Sequence, residues 1–430
     1  MNRPRTTTSA APVRLLSPFR DFLRNETAGA VLLCIGAVGA LVWANSPLSG
    51  HYFDLWSTRA ALSVGSFTLD LDLKHWVNDG LMAVFFLVVG LEIKRELTEG
   101  HLSDRRAALL PVVGAVGGMA VPALVYLVIA GSTAPGGWAI PVATDIALAV
   151  GALSVAGGRV PSSLRAFLLG LAIVDDIGAI IIIAAVFSSG IAFGWMTAAV
   201  LGFASAVAVR TLGTQSVVPY VVCGAVVWLG LYKAGVHPTL AGVVMGLLAP
   251  VTPRRPGGLL DVEERPDLAG TVGSAGVGDE GTVSVVEWLL HVLHPWTSFV
   301  IVPVFALANS GLVLSASGFA EAAGSPVTWG VFAGLVLGKP LGIVLATRVS
   351  VRAGLADMPA GSGARHLLGA GSAAGIGFTV ALFITELALP SAVDQANAKL
   401  AILAASALSA VVAVGLLTRG ERGHVTRVEK

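Results

Sequence analysis

Long apolar runs separated by short polar loops dominate this chain, and the period-2 alternation of exposed strands shows in only one place. A membrane-crossing helix needs roughly 20 mainly apolar residues. Twelve runs qualify or nearly do: 27–44, 76–93, 107–130, 137–157, 164–187, 194–209, 217–233, 238–250, 288–311, 327–347, 366–388 and 397–417, the eighth being short. The pattern predicts an all-α polytopic membrane protein with about twelve transmembrane helices. Its expected organisation is an N-terminal segment over 1–26, helices one to eight over 27–250, a Gly-rich charged linker over 251–287, helices nine to twelve over 288–418 and a tail over 419–430. The exception is "SFTLDLDL" in the loop between the first two runs, whose alternation predicts a small strand or hairpin.

Composition agrees with that picture. Hydrophobic residues make up 55% of the chain and charged residues 12%, whereas a soluble domain carries about 25% charged residues. A net charge of +1 leaves no basic footprint for a phosphate backbone, so no nucleic-acid partner is expected. The two cysteines, Cys34 and Cys223, sit in apolar stretches and are expected as buried small hydrophobes, with neither a disulfide framework nor a thiolate metal site. Five arginines precede the first apolar run, which is too long for a signal peptide; a retained first helix is expected.

Lys and Arg collect in alternate loops, which sets orientation because cytoplasmic loops are enriched in them. With the N-terminus inside, only Arg59, Lys74, Lys233 and Lys399 fall outside, and Lys339 falls within a helix; the other 22 of the 27 are inside. Both termini are therefore expected in the cytoplasm, in a multi-pass protein of the bacterial cytoplasmic (inner) membrane.

Charge inside the apolar runs carries the chemistry. In "AIVDDIGAIIII", Asp175 and Asp176 stand at mid-span. At about 2.5 to 3.5 kcal/mol for each central Asp, the pair costs about 5 to 7 kcal/mol to insert. One reading is a structural pair satisfied by neighbouring helices; the favoured one is an ion or proton path. Adjacent carboxylates raise each other's proton affinity, and oxygen ligands suit a hard cation such as Na⁺ or Li⁺, so the pair can exchange protons for the ion.

Two further spans look interrupted. In "GWAIPVATDIALAV", Pro141 opposes helix continuity and Thr144 and Asp145 follow. "GAGSAAGIGFTV" places Gly369, Gly371, Gly375 and Gly377 in the eleventh run. Glycines alone suit close helix packing. With the Pro and Asp break in the fourth run, they predict two discontinuous helices crossing at mid-membrane, as in inverted-repeat transporters. Lys339, deep in "AGLVLGKPLGIVLA", needs a carboxylate or helix C-terminal carbonyls; Asp175, Asp176 and Asp145 are its candidate partners.

Weaker signals lie toward the span ends. Asp79 and Glu92 are thirteen residues apart in the second run, near opposite membrane faces. Glu92, Lys94, Arg95 and Glu96 form either a solvated helix end or a cytoplasmic entrance. His237 follows "KAGV", and His291 and His294 lie one turn apart without the further ligands a zinc site needs. Interfacial or hydrogen-bonded histidines are expected, with pH sensing as the other reading.

The stretches "NDGLMAVFFLVVGLEIKREL", "GWAIPVATDIALA", "LAIVDDIGAIIII", "GVHPTLAGV", "LHPW", "FALANSG", "LGKPLGI" and "GIGFT" together resemble the NhaA family of bacterial sodium/proton antiporters, across roughly Asn25 to Arg419. The resemblance implies a twelve-helix fold with helices 3 to 5 and 10 to 12 as inverted repeats. It implies that Asp175 and Asp176 are the ion-exchange pair and the Na⁺ (metal) ligands, Asp176 the more direct, and that Lys339 partners Asp175. Thr144 and Asp145 would mark the helix crossing, and Asp145 would offset half-helix dipoles together with Lys339. It further implies a secondary transporter rather than an enzyme, with no cofactor. The expected exchange is electrogenic and alkaline-activated, exporting Na⁺ or Li⁺ for external H⁺ in sodium and pH homeostasis. Glu92, Arg95, Glu96, His291 and His294 match regulatory positions. One departure stands out: the acid the family often places just before "HVLHPW" is Leu290, and the nearest acid is Glu287. The lipid bilayer, Na⁺, Li⁺ and H⁺ are the partners expected, with a homodimer as the candidate assembly.

Two rivals are tested by the same residues. "GVGD" at 276–279 matches the GxGD pattern of intramembrane aspartyl proteases but lies in the polar linker, with no Tyr-Asp pair anywhere to supply a second acid. A transporter for a small organic solute would add polar and aromatic side chains at mid-membrane, and these are sparse.

Overall fold

The computed structural model describes residues 26–64, 67–100, 102–188, 190–214, 216–251, 253–254 and 283–418. The expected N-terminal segment and tail, and most of the linker over 251–287 with its "GVGD", therefore lie outside the described residues.

The chain starts with α1 (Glu26–Ala44) and, after a bend of 115°, α2 (Ser49–Ser57). Next comes an antiparallel hairpin of β1 (Arg59–Val64) and β2 (Phe67–Asp72), paired from Arg59 with Asp72 to Val64 with Phe67. This is the strand signal of "SFTLDLDL". Asp72 accepts a hydrogen bond from the His75 backbone at 2.7 Å, starting α3 (Leu73–Thr98). α4 (Arg105–Ala130) precedes a 3-10 segment, Pro135–Val142, and α5 (Ile146–Ala156). The central helices continue with α6 (Ser162–Val186), α7 (Phe193–Thr211), α8 (Val218–Ala234) and α9 (Leu240–Leu248). A two-residue bridge, β3 (Pro253–Arg254) with β4 (Val283–Ser284), leads to α10 (Val285–Asn309). The final elements are α11 (Ala316–Gly324), α12 (Pro326–Arg352), α13 (Ala364–Ala374), α14 (Phe378–Ala388) and α15 (Ala392–Thr418).

Among the described residues eight helical stretches are long and apolar enough to cross a membrane, with the 3-10 segment and α5 taken as one over Pro135–Arg159, or up to ten if each bent pair is one span. The two further runs expected from sequence are α8, with 17 residues, and α9, with nine. At about 1.5 Å per residue these rise about 25 Å and 14 Å, short of a full crossing.

The bundle is inside-out relative to a soluble one. On α1, Val31, Ile35, Val38 and Val42 point outward, while Leu33, Ala37, Ala40 and Ala44 are buried. Large side chains thus meet hydrocarbon and small ones let helices approach. α4 and α12 show this most clearly, since a Cβ on Gly342 would overlap the Gly117 carbonyl oxygen. The cysteines break the expectation made for them: Cys34 is exposed on the outer apolar face and Cys223 is half-buried. Helix-to-lipid contact suits a small thiol as well as a core does.

α4, α6, α12, α13, α15 and the interrupted segment pack on one another, while α3 packs on α9 and α10 on α1. Proline widens the ladder at two points. Wide π turns at Thr297–Ile301 and Gly334–Gly338 are each followed within two residues by Pro303 or Pro340, which cannot donate to the preceding turn.

Candidate functional site

The interruption at Ala143–Asp145 touches the one at Gly375–Gly377. The 3-10 segment ends at Val142, just past Pro141, Ala143 is extended, and the Asp145 amide donates to the Ile376 carbonyl at 2.6 Å. α13 and α14 meet at 48° there. Both glycines are needed for closeness: a Cβ on Gly375 would sit 2.6 Å from the Leu335 carbonyl oxygen, and one on Gly377 3.0 Å from that of Ala143.

Asp145 closes the junction. Its Oδ1 accepts from the Leu148 amide at 3.0 Å, capping α5. Its Oδ2 accepts from the Thr379 amide at 3.1 Å and hydroxyl at 2.7 Å, capping α14. One carboxylate thus satisfies two helix N-termini and opposes both positive dipole ends. Thr379 is a residue that sequence reasoning missed, though it stands in the quoted "GIGFT".

Asp175 and Asp176 lie near the middle of α6, buried to 0% and 6% exposure. Asp175 Oδ2 lies 2.5 Å from Lys339 Nζ and 2.6 Å from the Thr144 hydroxyl. Of the three acids open to Lys339, it is Asp175 that pairs with it. Lys339 also donates to the Val142 carbonyl, at the end of the 3-10 segment, so its charge meets a helix C-terminus as well. Thr144 lies within 2.9 Å of the Ala374 carbonyl too. Its single proton serves one of the two oxygens at a time.

The second oxygens of the pair have a different status. Asp175 Oδ1 and Asp176 Oδ1 are buried with no hydrogen-bond partner among the described residues. Such atoms are costly unless a proton or cation meets them. Glu92, Asp145, Asp175 and Lys339 all act electrostatically on Asp176. No group of three His, Cys, Asp or Glu converges to hold a metal among the described residues, so a cation here would complete its shell from backbone or hydroxyl oxygens. The crevice of about 350 Å³ beside α6, lined by Met119, Trp138, Val142, Gly178 and Ile181, is apolar and suits hydrocarbon rather than an ion.

The remaining expected residues divide between two places. Asp79, in a wide π turn of α3, lies 3.6 Å from His237 Nε2, while His237 Nδ1 meets the Thr239 hydroxyl at 2.8 Å. Toward the other end of α3, Glu92 lies 3.8 Å from His294 on α10. Arg95 and Glu96 follow Glu92 on α3, and His291 is exposed on α10, one turn from His294. Neither place joins the central cluster by direct contact in the bonds described above. Leu290 is buried among Val88, Leu91, Ala249 and Val286, so an apolar contact with α3 fills that position.

Sequence reasoning also missed a second buried ion cluster. Lys399, counted with the outside charges at the start of the twelfth run, lies within α15 at 7% exposure and pairs with Glu386 of α14. Lys74, at the start of α3, reaches the same Glu386 oxygen at 2.9 Å. A glutamate near the end of the eleventh run was the available signal.

Helices faced with apolar residues and charges buried at mid-span define a polytopic helical membrane protein built around an intramembrane ionic site. The chain belongs to the Na⁺/H⁺ antiporter 1 family, whose sequence model matches residues 20–417. It is 46% identical over 420 residues to Na⁺/H⁺ antiporter NhaA 3 of Frankia alni, covering 94% of this chain and 89% of that protein. Na⁺/H⁺ antiporter NhaA 2 of Sorangium cellulosum is 43% identical over 94% of this chain and 90% of its own length. Na⁺/H⁺ antiporter NhaA of Mesorhizobium japonicum is 43% identical over 97% and 98% respectively.

Proposed function

We propose that this chain is a secondary antiporter that exports Na⁺, and Li⁺ in its place, in exchange for external H⁺. It would serve Na⁺ and pH homeostasis in a bacterial cytoplasmic membrane. The observation that carries this reading is the buried pair Asp175 and Asp176, each with an unpartnered carboxylate oxygen, beside a single ammonium. Family membership and the names of the relatives support the same exchange. In this reading α8 and α9 are short spans and the chain crosses twelve times, with both termini cytoplasmic. The touching interruptions then form the crossing of two inverted repeats.

Asp176 is the direct cation ligand. Asp175 alternates between Lys339 and the cation, and Thr144 can turn its proton from Asp175 to the Ala374 carbonyl as the carboxylate is occupied. Protons arriving from outside neutralise the two acids and release Na⁺ outward. After reorientation, cytoplasmic Na⁺ displaces the protons. Two acids serving one monovalent cation fit electrogenic exchange. Asp145 stays engaged with α5 and α14 and holds the crossing rather than the ion. Glu92 and His294 sit at the cytoplasmic entrance with Arg95, Glu96 and His291, the region through which pH regulation would act. Asp79 and His237 line the external end. A homodimer is the candidate assembly, and the hairpin, two-stranded among the described residues, suits strand pairing with a second copy.

The test is exchange in proteoliposomes with an acidic lumen and a trapped pH dye, adding Na⁺, Li⁺ or K⁺ outside from pH 6.5 to 8.5. Lumenal alkalinisation by Na⁺ or Li⁺, lost in Asp176→Asn, is the expected result. Full exchange by Asp176→Asn would overturn the mechanism, and no cation response at any pH would overturn the function.

A further inference from the structure

The cluster of Lys74, Glu386 and Lys399 is separate from the ion site and unused by the exchange just described. Its position is what matters. Glu386 lies on α14, the half-helix whose other end is capped by Asp145, and Lys399 lies on α15, which packs against α14. Lys74 belongs instead to α3, which packs on α9. The main backbone neighbours of α14 are the 3-10 segment, α15 and α10. Two side-chain contacts join α14 to α3. One is the Lys74 ion pair at 2.9 Å. The other is Phe383 against Phe86, with ring centroids 5.6 Å apart and both rings buried. Phe383 also meets Phe305 and His237, and His237 lies 3.6 Å from Asp79, so the Phe383 ring packs beside the Asp79 end of α3.

We infer that Glu386 and Lys74 form the external gate contact: an ion pair that holds the outer end of α14 against α3 and keeps the Phe383 ring seated as a plug over the ion site. Lys399 is its permanent counter-charge, and Lys74 is the partner released when the gate opens. This inference rests on the proposed orientation and alternating access. Three features favour a releasable join over a merely structural one. Both ammoniums meet the same Glu386 oxygen, so loss of Lys74 leaves the carboxylate paired rather than stranded. The side chain of Lys74 is 30% exposed against 8% for Lys399, so water can take up its charge. Lys74 also stands two residues past the hairpin, and Trp76, two residues further on, donates to the Ala60 carbonyl, so hairpin and latch move together.

The experiment reads the plug directly. Val380 is buried one turn from Phe383 on α14, deeper toward the crossing. In a chain with Cys34→Ala and Cys223→Ala, Val380→Cys is labelled with a membrane-impermeant thiol reagent applied to right-side-out vesicles. Lys74→Met is expected to speed labelling about three- to five-fold, the population shift available from one partly exposed ion pair. It is also expected to lower the apparent KM for external Na⁺ by a similar factor at unchanged maximal rate, and Lys74→Arg restores the parental behaviour. Lys74→Gln replaces the Met variant if that one fails to reach the membrane. An unchanged labelling rate in a folded Lys74→Met or Lys74→Gln variant overturns the gate. Labelling requires no transport. Faster labelling in a chain that exchanges no Na⁺ would sustain the gate while overturning the exchange, and exchange with unchanged labelling would do the reverse.

Discussion

Around Asp175, three buried carboxylates, those of Asp145, Asp175 and Asp176, stand with one buried ammonium, Lys339, which pairs with Asp175; around Glu386, two ammoniums share one carboxylate. The central cluster is fully enclosed, whereas Lys74 in the other keeps part of its side chain exposed. A deficit of positive charge in a dry place has one remedy, uptake of protons or a cation, because burial penalises each unpaired carboxylate. An excess of positive charge beside water needs no ligand, since solvent screens it. The first arrangement is suited to carrying an ion and the second to holding two helices together reversibly. Removing charges from each place separates these roles.

The largest effect is expected from Lys339→Met. It strands Asp175 at 0% exposure, and breaking a buried pair on one side costs about 3 to 5 kcal/mol. Thermal unfolding in detergent should show a large fall in Tm, and the Asp175→Asn, Lys339→Gln double variant should recover most of it. Equal Tm for single variant and parent would mean that Asp175 does not depend on the ammonium, and the charge comparison would fail at its centre.

Much of that centre was legible in the sequence because insertion energetics are local: Asp175, Asp176 and Lys339 are conspicuous wherever their helices pack. What a one-dimensional reading lacks is the third dimension of pairing. Three acids were open to Lys339 until the fold brought Asp175 to 2.5 Å, and Thr379 looked like any helix threonine until it met Asp145. Lys399 was counted only as an outside charge at the edge of its run, because charge counting shows neither burial nor a partner. Glu386, thirteen residues earlier in sequence, lets it be buried there. The exposure of Cys34 was hidden for the opposite reason, since an apolar context does not distinguish lipid from core.

Gly342→Val should come next in size. The residue lies one turn past Lys339 on α12, where α4 approaches too closely for a side chain. Overpacking typically costs about 1 to 3 kcal/mol, and displacing α12 would carry Lys339 off Asp175, so exchange should fall together with Tm. Gly415→Ala on α15 is the control: its added Cβ meets nothing within 4 Å, and parental Tm or slightly above is expected. A smaller loss, about 1 kcal/mol, is expected from Thr379→Val, which removes the hydroxyl bond to Asp145 and leaves the amide bond in place. If Thr379→Val cost as much as Lys339→Met, the crossing rather than the charge balance would be what holds the centre.

The smallest effect sharpens the comparison from the other side. Arg59 and Asp70 on the hairpin form an ion pair at 2.8 Å, as short as the 2.9 Å pair of Lys74 and Glu386. Their side chains are 74% and 44% exposed, against 30% and 17%. Distance is thus held constant while burial changes. Exposed pairs are worth about 0 to 1 kcal/mol and are screened by salt. Arg59→Ala should therefore leave Tm and Val380→Cys labelling at parental values, even at low ionic strength, while Lys74→Met accelerates labelling. Equal acceleration by Arg59→Ala would show that hairpin electrostatics in general, and not a contact made by Glu386, hold the external end closed.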